Sequence, residues 1–235
     1  MITNNELIKT NWIKVNELIE KSADMAGVKI PKLVVVTKKQ PIEVISAVIQ
    51  SGAVILGENY PEEAAEKIKI FADKQVEWHM IGNIQSRKAE IIAANFNFVH
   101  SIDRYKVAHK IDQNVVSKVK LPVLLELNVS GEMSKSGIPA WEEKYWSDLL
   151  GVIEEIQKLS RIEIKGLMCM PPFEPDPENS RKYFVKLRQL MEFINRQLGM
   201  NINELSMGTS FDYRIAIQEG ATFVRIGTAI TGERK

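Results

Sequence analysis

Eight short runs rich in β-branched and other apolar residues recur along this chain with helix-type segments between them, at residues 33–37, 53–56, 78–81, 98–102, 123–129, 162–170, 204–207 and 223–230. A strand of about 5 residues, a helix of about 12 and two short loops need roughly 25 residues, which is the mean spacing of the runs. Strands that alternate with helices in this way build parallel sheets, because a parallel neighbour is reached only by a crossover connection. Eight such units predict an α/β fold, a single (β/α)8 TIM barrel domain over residues 1–235.

The segments between the runs carry helix punctuation. Residues 41–50 end just before Gly52, and residues 60–72 open with Pro61 followed by Glu62 and Glu63, which suits the first turn of a helix. Residues 86–95, 105–119, 141–159 and 178–198 continue the alternation, and Gly199 stops the last of them. Only residues 231–235 follow the eighth run, so the final strand is expected to have no helix of its own. Residues 5–25 place Leu7, Ile8, Trp12, Val15, Leu18 and Ile19 on one face with no strand before them. They predict an extra N-terminal helix that closes the outer ring beside the first and eighth strands.

Charge and composition narrow the partners. Lys+Arg 31 against Asp+Glu 30 leaves +1, so no basic surface for nucleic acid or an anionic membrane is expected. The lone cysteine, Cys169, sits in the apolar run Gly166-Leu167-Met168-Cys169-Met170 and is expected to pack in the core. With a polar N-terminus and no long uninterrupted apolar stretch, a cytoplasmic monomer is the expectation.

The chemistry concentrates near the C-terminus, in Met207-Gly208-Thr209-Ser210 and in Val224-Arg225-Ile226-Gly227-Thr228. Glycine amides and helix N-termini favour phosphate. Ser210 is expected to cap a helix beginning at Phe211, with Asp212 in its first turn and Gly220 as its stop. Arg225 lies two residues before Gly227 and therefore on the same strand face. Taken alone, these residues fit a phosphate site or plain barrel-end turns with an ion-paired arginine. Lys38 closes the most β-forming run, and strand C-termini face the active site of a barrel. A half-desolvated lysine there can form a Schiff base with an aldehyde, whereas Lys39 points the other way. The first strand neighbours the eighth once the barrel closes, so a Schiff-base lysine and phosphate turns together describe pyridoxal 5′-phosphate.

With these residues the chain resembles the pyridoxal phosphate homeostasis protein family, single-domain relatives of the alanine racemase N-terminal barrel. The matching stretches include Val35-Val36-Thr37-Lys38, Gly57-Glu58-Asn59-Tyr60, residues 78–86, His100-Ser101-Ile102-Asp103, Ser134-Lys135-Ser136-Gly137 and Gly166-Leu167-Met168, besides the C-terminal segment. The resemblance implies pyridoxal phosphate bound to Lys38, with Ser210, Gly227 and Thr228 as phosphate ligands and Arg225 facing the pyridine nitrogen. Asn59 either hydrogen-bonds the cofactor ring or forms an Asx turn before Pro61. Thr209 and Phe211 depart from the more usual neighbours of Ser210, which implies altered packing and not a lost ligand.

Other polar residues weigh less. His79 reads as a barrel-interior histidine satisfied by a hydrogen bond, and His100 as the start of a turn; without a His-x-His pair or a cysteine cluster, no metal is expected at His79, His100 and Asp103. Lys135, between two serines in a loop after the fifth strand, is either part of a mobile connector or a cation that meets the cofactor as it enters or leaves. Alanine racemase needs a tyrosine from an additional domain as its second acid/base. With the chain ending at Lys235 no such domain is expected, so a non-catalytic carrier that supplies apo-enzymes is the leading reading. A weak pyridoxal phosphate-dependent amino-acid racemase is the alternative, and an aldolase-like barrel forming a transient Schiff base is a third.

Overall fold

The computed structural model describes residues 4–233. Its elements follow in order: α1 (Asn4–Ala26), β1 (Lys32–Val36), α2 (Ile42–Gln50), β2 (Ile55–Glu58), α3 (Pro61–Ile70), β3 (Glu77–Met80), α4 (Ala89–Asn95), β4 (Phe98–Ile102) and α5 (Tyr105–Asn114). The second half contains β5 (Leu121–Asn128), the short β6 (Ile138–Pro139), α6 (Trp146–Gln157), β7 (Ile162–Met168), α7 (Arg181–Leu198), β8 (Glu204–Thr209), α8 (Tyr213–Gln218), β9 (Phe223–Ile226) and α9 (Thr228–Thr231). The parallel strands run β4-β3-β2-β1-β9-β8-β7-β5, and β4 pairs with β5 to close the ring. This is the eight-stranded barrel read from the sequence, with β6 as an addition paired only to Leu127 and Asn128 of β5.

Strand parity divides the core in two. Val34, Val36, Ile55, Ile81, Phe98, Leu124, Met168 and Phe223 point inward and fill the barrel. Their neighbours Val35, Leu56, Val99, Leu125, Leu167, Leu205 and Val224 point outward against the helices. Burying each such side chain contributes about 1.5–3 kcal/mol. Helix α7 shows the matching pattern: Phe184, Leu187, Leu190 and Ile194 are buried at spacings of three and four, and the chain leaves the helix through Gly199 at φ 61.

Helix α1 lies against α2 on one side and α8 and α9 on the other, so it closes the outer ring beside β1 and β9. The final strand differs from expectation. It stops at Ile226, because Gly227 turns to φ −113, ψ −87 and gives its amide to Ser210 Oγ instead of the ladder; the one-turn α9 follows. Strand β2 instead extends past Leu56 to Glu58, whose Oε1 accepts from Thr37 and Lys67 on the outer side. Among the described residues no helix is long and apolar enough to cross a membrane.

Candidate functional site

Two neighbouring strands carry Lys38 and Asn59 to one mouth of the barrel. Val36 pairs with Gly57, and each of the two residues follows its strand by the inward step of two. Lys38 is half-buried, whereas Lys39 is exposed, sits at φ 57 and places its Nζ 5.5 Å from the Tyr60 ring centre. The residues immediately before them are tied together on the outer side. Thr37 Oγ1 donates to Glu58 at 2.7 Å, and Lys67 Nζ donates to Thr37 O and Glu58, each at 2.8 Å, and to Glu63 at 2.6 Å. Glu58 is fully buried, and burial raises its pKa against the opposing pull of Lys67. This buried ionic knot fixes both strand ends from behind.

The C-terminal turns meet at the same mouth. Gly208 takes φ 87, and a Cβ there would come within 2.6 Å of Ala216, so only glycine turns β8 toward α8 at this point. Ser210 does not cap α8. That position belongs to Asp212, whose Oδ1 accepts from Thr209 N at 2.7 Å and Thr209 Oγ1 at 3.0 Å. Ser210 Oγ accepts instead from Gly227 N at 3.2 Å and Ala229 N at 3.5 Å, joining the two turns. Thr228 is exposed at the head of α9.

Arg225 lies beneath these turns, paired across the ladder with Val34 and Thr209. It is 2% exposed, yet its charge is anchored: Nη1 donates to Ser206 Oγ at 2.5 Å, and Nη2 donates to Cys169 O at 2.9 Å. Burial pulls its pKa down from the usual arginine value. Its Nε and the Oδ1 of Asn59 are buried without a hydrogen-bond partner among the described residues, an arrangement costly enough to suggest a polar ligand. Cys169 is buried beside it with its thiol pushed up to about 12 by burial, which makes it an inert core residue.

The loop after β5 is held in a defined shape. Asn128 Oδ1 accepts from Ser130 N, Ser130 Oγ and Gly131 N, while Asn128 Nδ2 donates to Glu132 O. Lys135 from this loop lines a cavity of about 200 Å³ with Met170, Phe173, Gly208, Thr209 and Phe211, next to the Ser210 turn. A larger groove of about 1030 Å³ opens near Lys39 between α2 and α3, but Lys38, Asn59, Ser210 and Arg225 do not line it.

Three features escaped the sequence reading. Glu126 is buried beside Leu124 on the inward parity of β5; burial first, then the Asp103 carboxylate, raises its pKa to about 7 against the pull of Arg225. A lone carboxylate inside Leu124-Leu125-Glu126-Leu127 was the available signal. Ser206 is the partner of Arg225, and His100 lies within β4, fully buried, instead of opening a turn. His79 is a hydrogen-bonded interior residue as expected.

The alanine racemase N-terminal domain family model matches residues 8–235. The pyridoxal phosphate homeostasis protein of Aquifex aeolicus is 36% identical over 225 residues, covering 94% of this chain and 96% of that protein. The protein of the same name from Pseudomonas aeruginosa is 39% identical over 233 residues, covering 97% and 96%. PipY of Synechococcus elongatus, solved with PLP bound, superposes with a TM-score of 0.82 at 25% identity, covering 96% of this chain and 100% of its own.

Proposed function

The chain belongs to the pyridoxal phosphate homeostasis proteins within the alanine racemase N-terminal domain family, and from that premise we propose that it binds pyridoxal 5′-phosphate through Lys38 and supplies it to apo-enzymes without strong catalysis of its own. The observation that carries this reading is the convergence of Lys38, Asn59 and the Ser210–Gly227 turn at one barrel mouth, above a buried arginine with an unpartnered Nε. When bound, this cofactor supplies an aldehyde that a lysine amine captures and a pyridine ring that accepts electron density.

The residues present fit that group. Lys38 takes the aldehyde end, and Asn59, whose Oδ1 is buried without a partner among the described residues, faces the ring. Ser210, Gly227 and Thr228 hold the phosphate with hydroxyl and amide donors, the phosphate taking over the Gly227 N–H that Ser210 Oγ accepts in its absence. Nη1 and Nη2 of Arg225 each already have an acceptor, whereas Nε is buried without one, so we assign Nε–H as the donor for the ring nitrogen. A guanidinium stays charged and cannot serve as a proton acceptor, so in that position it keeps the nitrogen unprotonated and the ring a weak electron sink. That property suits a holder better than a transaminase. The Aquifex aeolicus and Pseudomonas aeruginosa relatives named for homeostasis match the chain over 96% of their own length, which supports a carrier over a racemase.

We place the protein in the cytoplasm as a monomeric single-domain carrier, with apo pyridoxal phosphate enzymes as recipients and Lys135 assisting release. Titration of the purified chain with pyridoxal phosphate should give a saturable visible band, and a panel of amino acids should show no enzyme-like turnover with the loaded protein. A chain that stays colourless defeats the cofactor reading. Rapid racemisation of any amino acid defeats the carrier reading and favours the racemase.

A further inference from the structure

A chain of four hydrogen bonds runs through the barrel interior from Arg225 to the opposite mouth. Arg225 Nη1 meets Ser206 Oγ at 2.5 Å, Ser206 Oγ meets His100 Nδ1 at 2.8 Å, His100 Nε2 meets His79 Nδ1 at 2.9 Å, and His79 Nε2 meets Glu77 Oε2 at 3.3 Å. Ser206, His100 and His79 are fully buried, while the Glu77 side chain at the start of β3 is 63% exposed. Phe98 and Phe223 pack against both imidazoles at centroid distances of 4.9–5.8 Å. These apolar walls leave the rings few partners other than each other.

The ends of the chain fix its direction. A guanidinium only donates and a carboxylate only accepts. Ser206 Oγ therefore accepts from Arg225 and gives its single proton to His100 Nδ1. His100 then carries its own proton on Nε2 and donates it to His79 Nδ1. His79 in turn carries its proton on Nε2 and donates it to Glu77. Every member is satisfied with both rings neutral and in the same tautomer. The reverse tautomers would set a lone pair of His79 against the Glu77 carboxylate and turn two donors on Ser206 Oγ.

An added proton is resisted as well. Burial lowers the pKa of both histidines, Lys32 from β1 adds positive charge to both and Arg225 from β9 to His100, and Glu77 acts on His79 in the opposite sense. Glu204 of β8 pairs with Lys32 at 3.1 Å, and Glu126 of β5 acts on Arg225.

We propose that Ser206, His100 and His79 are positioning residues for Arg225, and that their shared tautomer is set from the opposite mouth of the barrel by Glu77. The relay presents one lone pair to Nη1, which with the Cys169 carbonyl on Nη2 orients the guanidinium and leaves the buried Nε–H without a partner among the described residues. The purpose of this orientation rests on the pyridoxal phosphate reading; the tautomers themselves do not.

The test uses 15N-histidine NMR on the chain without cofactor, together with pyridoxal phosphate titrations. At neutral pH His79 and His100, assigned against a His109→Gln variant, should both be neutral with the proton on Nε2. Glu77→Gln keeps an acceptor and should leave tautomers and affinity unchanged. Glu77→Lys presents a donor at an exposed position, and should move both protons to Nδ1, leave the buried Ser206 hydroxyl proton without an acceptor beside the guanidinium, and weaken pyridoxal phosphate binding about tenfold from the far mouth, the scale of one unsatisfied buried polar group. Ser206→Ala should weaken binding by at least as much. Imidazolium or Nδ1–H rings in the unmodified chain would overturn the relay. Flipped tautomers in Glu77→Lys with unchanged affinity would overturn its positioning role. No pyridoxal phosphate binding by the unmodified chain would instead defeat the cofactor reading, with the NMR result still standing.

Discussion

Glu126 should make the fold less stable as pH rises through neutrality. Its carboxyl is buried on β5 with one oxygen unpartnered among the described residues, and it ionises near pH 7 in the fold instead of near 4.5. Between these values the folded chain keeps a proton that the unfolded chain has lost, so stability falls as pH increases, and the loss is complete above about pH 7. At 1.36 kcal/mol per pH unit the interval amounts to about 3 kcal/mol. Glu126→Gln keeps the shape and removes the charge. Urea unfolding of both proteins without cofactor, from pH 4.5 to 8.5, should show equal stability at the acid end and a variant more stable by up to about 3 kcal/mol at pH 8. Asp103, also raised by burial, titrates in both proteins and largely cancels in the difference. A stability difference that does not change with pH, or one that grows in favour of the unmodified chain, refutes the reasoning.

Lys67→Met leaves the buried Glu58 without its countercharge and should cost about 3–5 kcal/mol in urea unfolding, with partial recovery when Glu58→Gln is added. Arg225→Ala should weaken pyridoxal phosphate binding by about 1.5–3 kcal/mol in calorimetry, and an unchanged affinity would mean that the arginine serves only the interior. Lys135→Ala should leave the visible band of the loaded protein nearly unchanged, because a partly exposed lysine–phosphate contact is screened and modest. It should nevertheless alter the rate at which an apo-enzyme is reactivated; equal rates at matched occupancy and low salt would reduce this loop to a connector.

The barrel was legible because strands buried on both faces read as apolar runs, and because Pro61, Gly199 and Gly220 mark helix ends through local conformational preferences. Parity carried the reading further: Val34, Val36 and Lys38 step inward along one strand, and Lys39 does not. What was hidden depends on contacts between distant segments. Ser210 looks like a helix cap locally, but the Gly227 amide, 17 residues on, takes its oxygen. His100 looks like the start of a turn until β4 is seen to bring it between His79 and Ser206. The loop after β5 reads as mobile from its glycines and serines, yet the Asn128 side chain organises it. Glu126 required the inward parity of β5 and the neighbouring Asp103 to stand out from its apolar run.

The central claim, that Lys38 is the residue that holds pyridoxal phosphate, is tested most directly by borohydride reduction of the loaded protein followed by peptide mapping. The visible band should disappear and the pyridoxyl label should be recovered on Lys38, with Lys38→Ala losing the label while it keeps its fold and some phosphate-dependent binding. Recovery of the label on Lys39 or Lys135 alone, or undiminished labelling of Lys38→Ala, would contradict it.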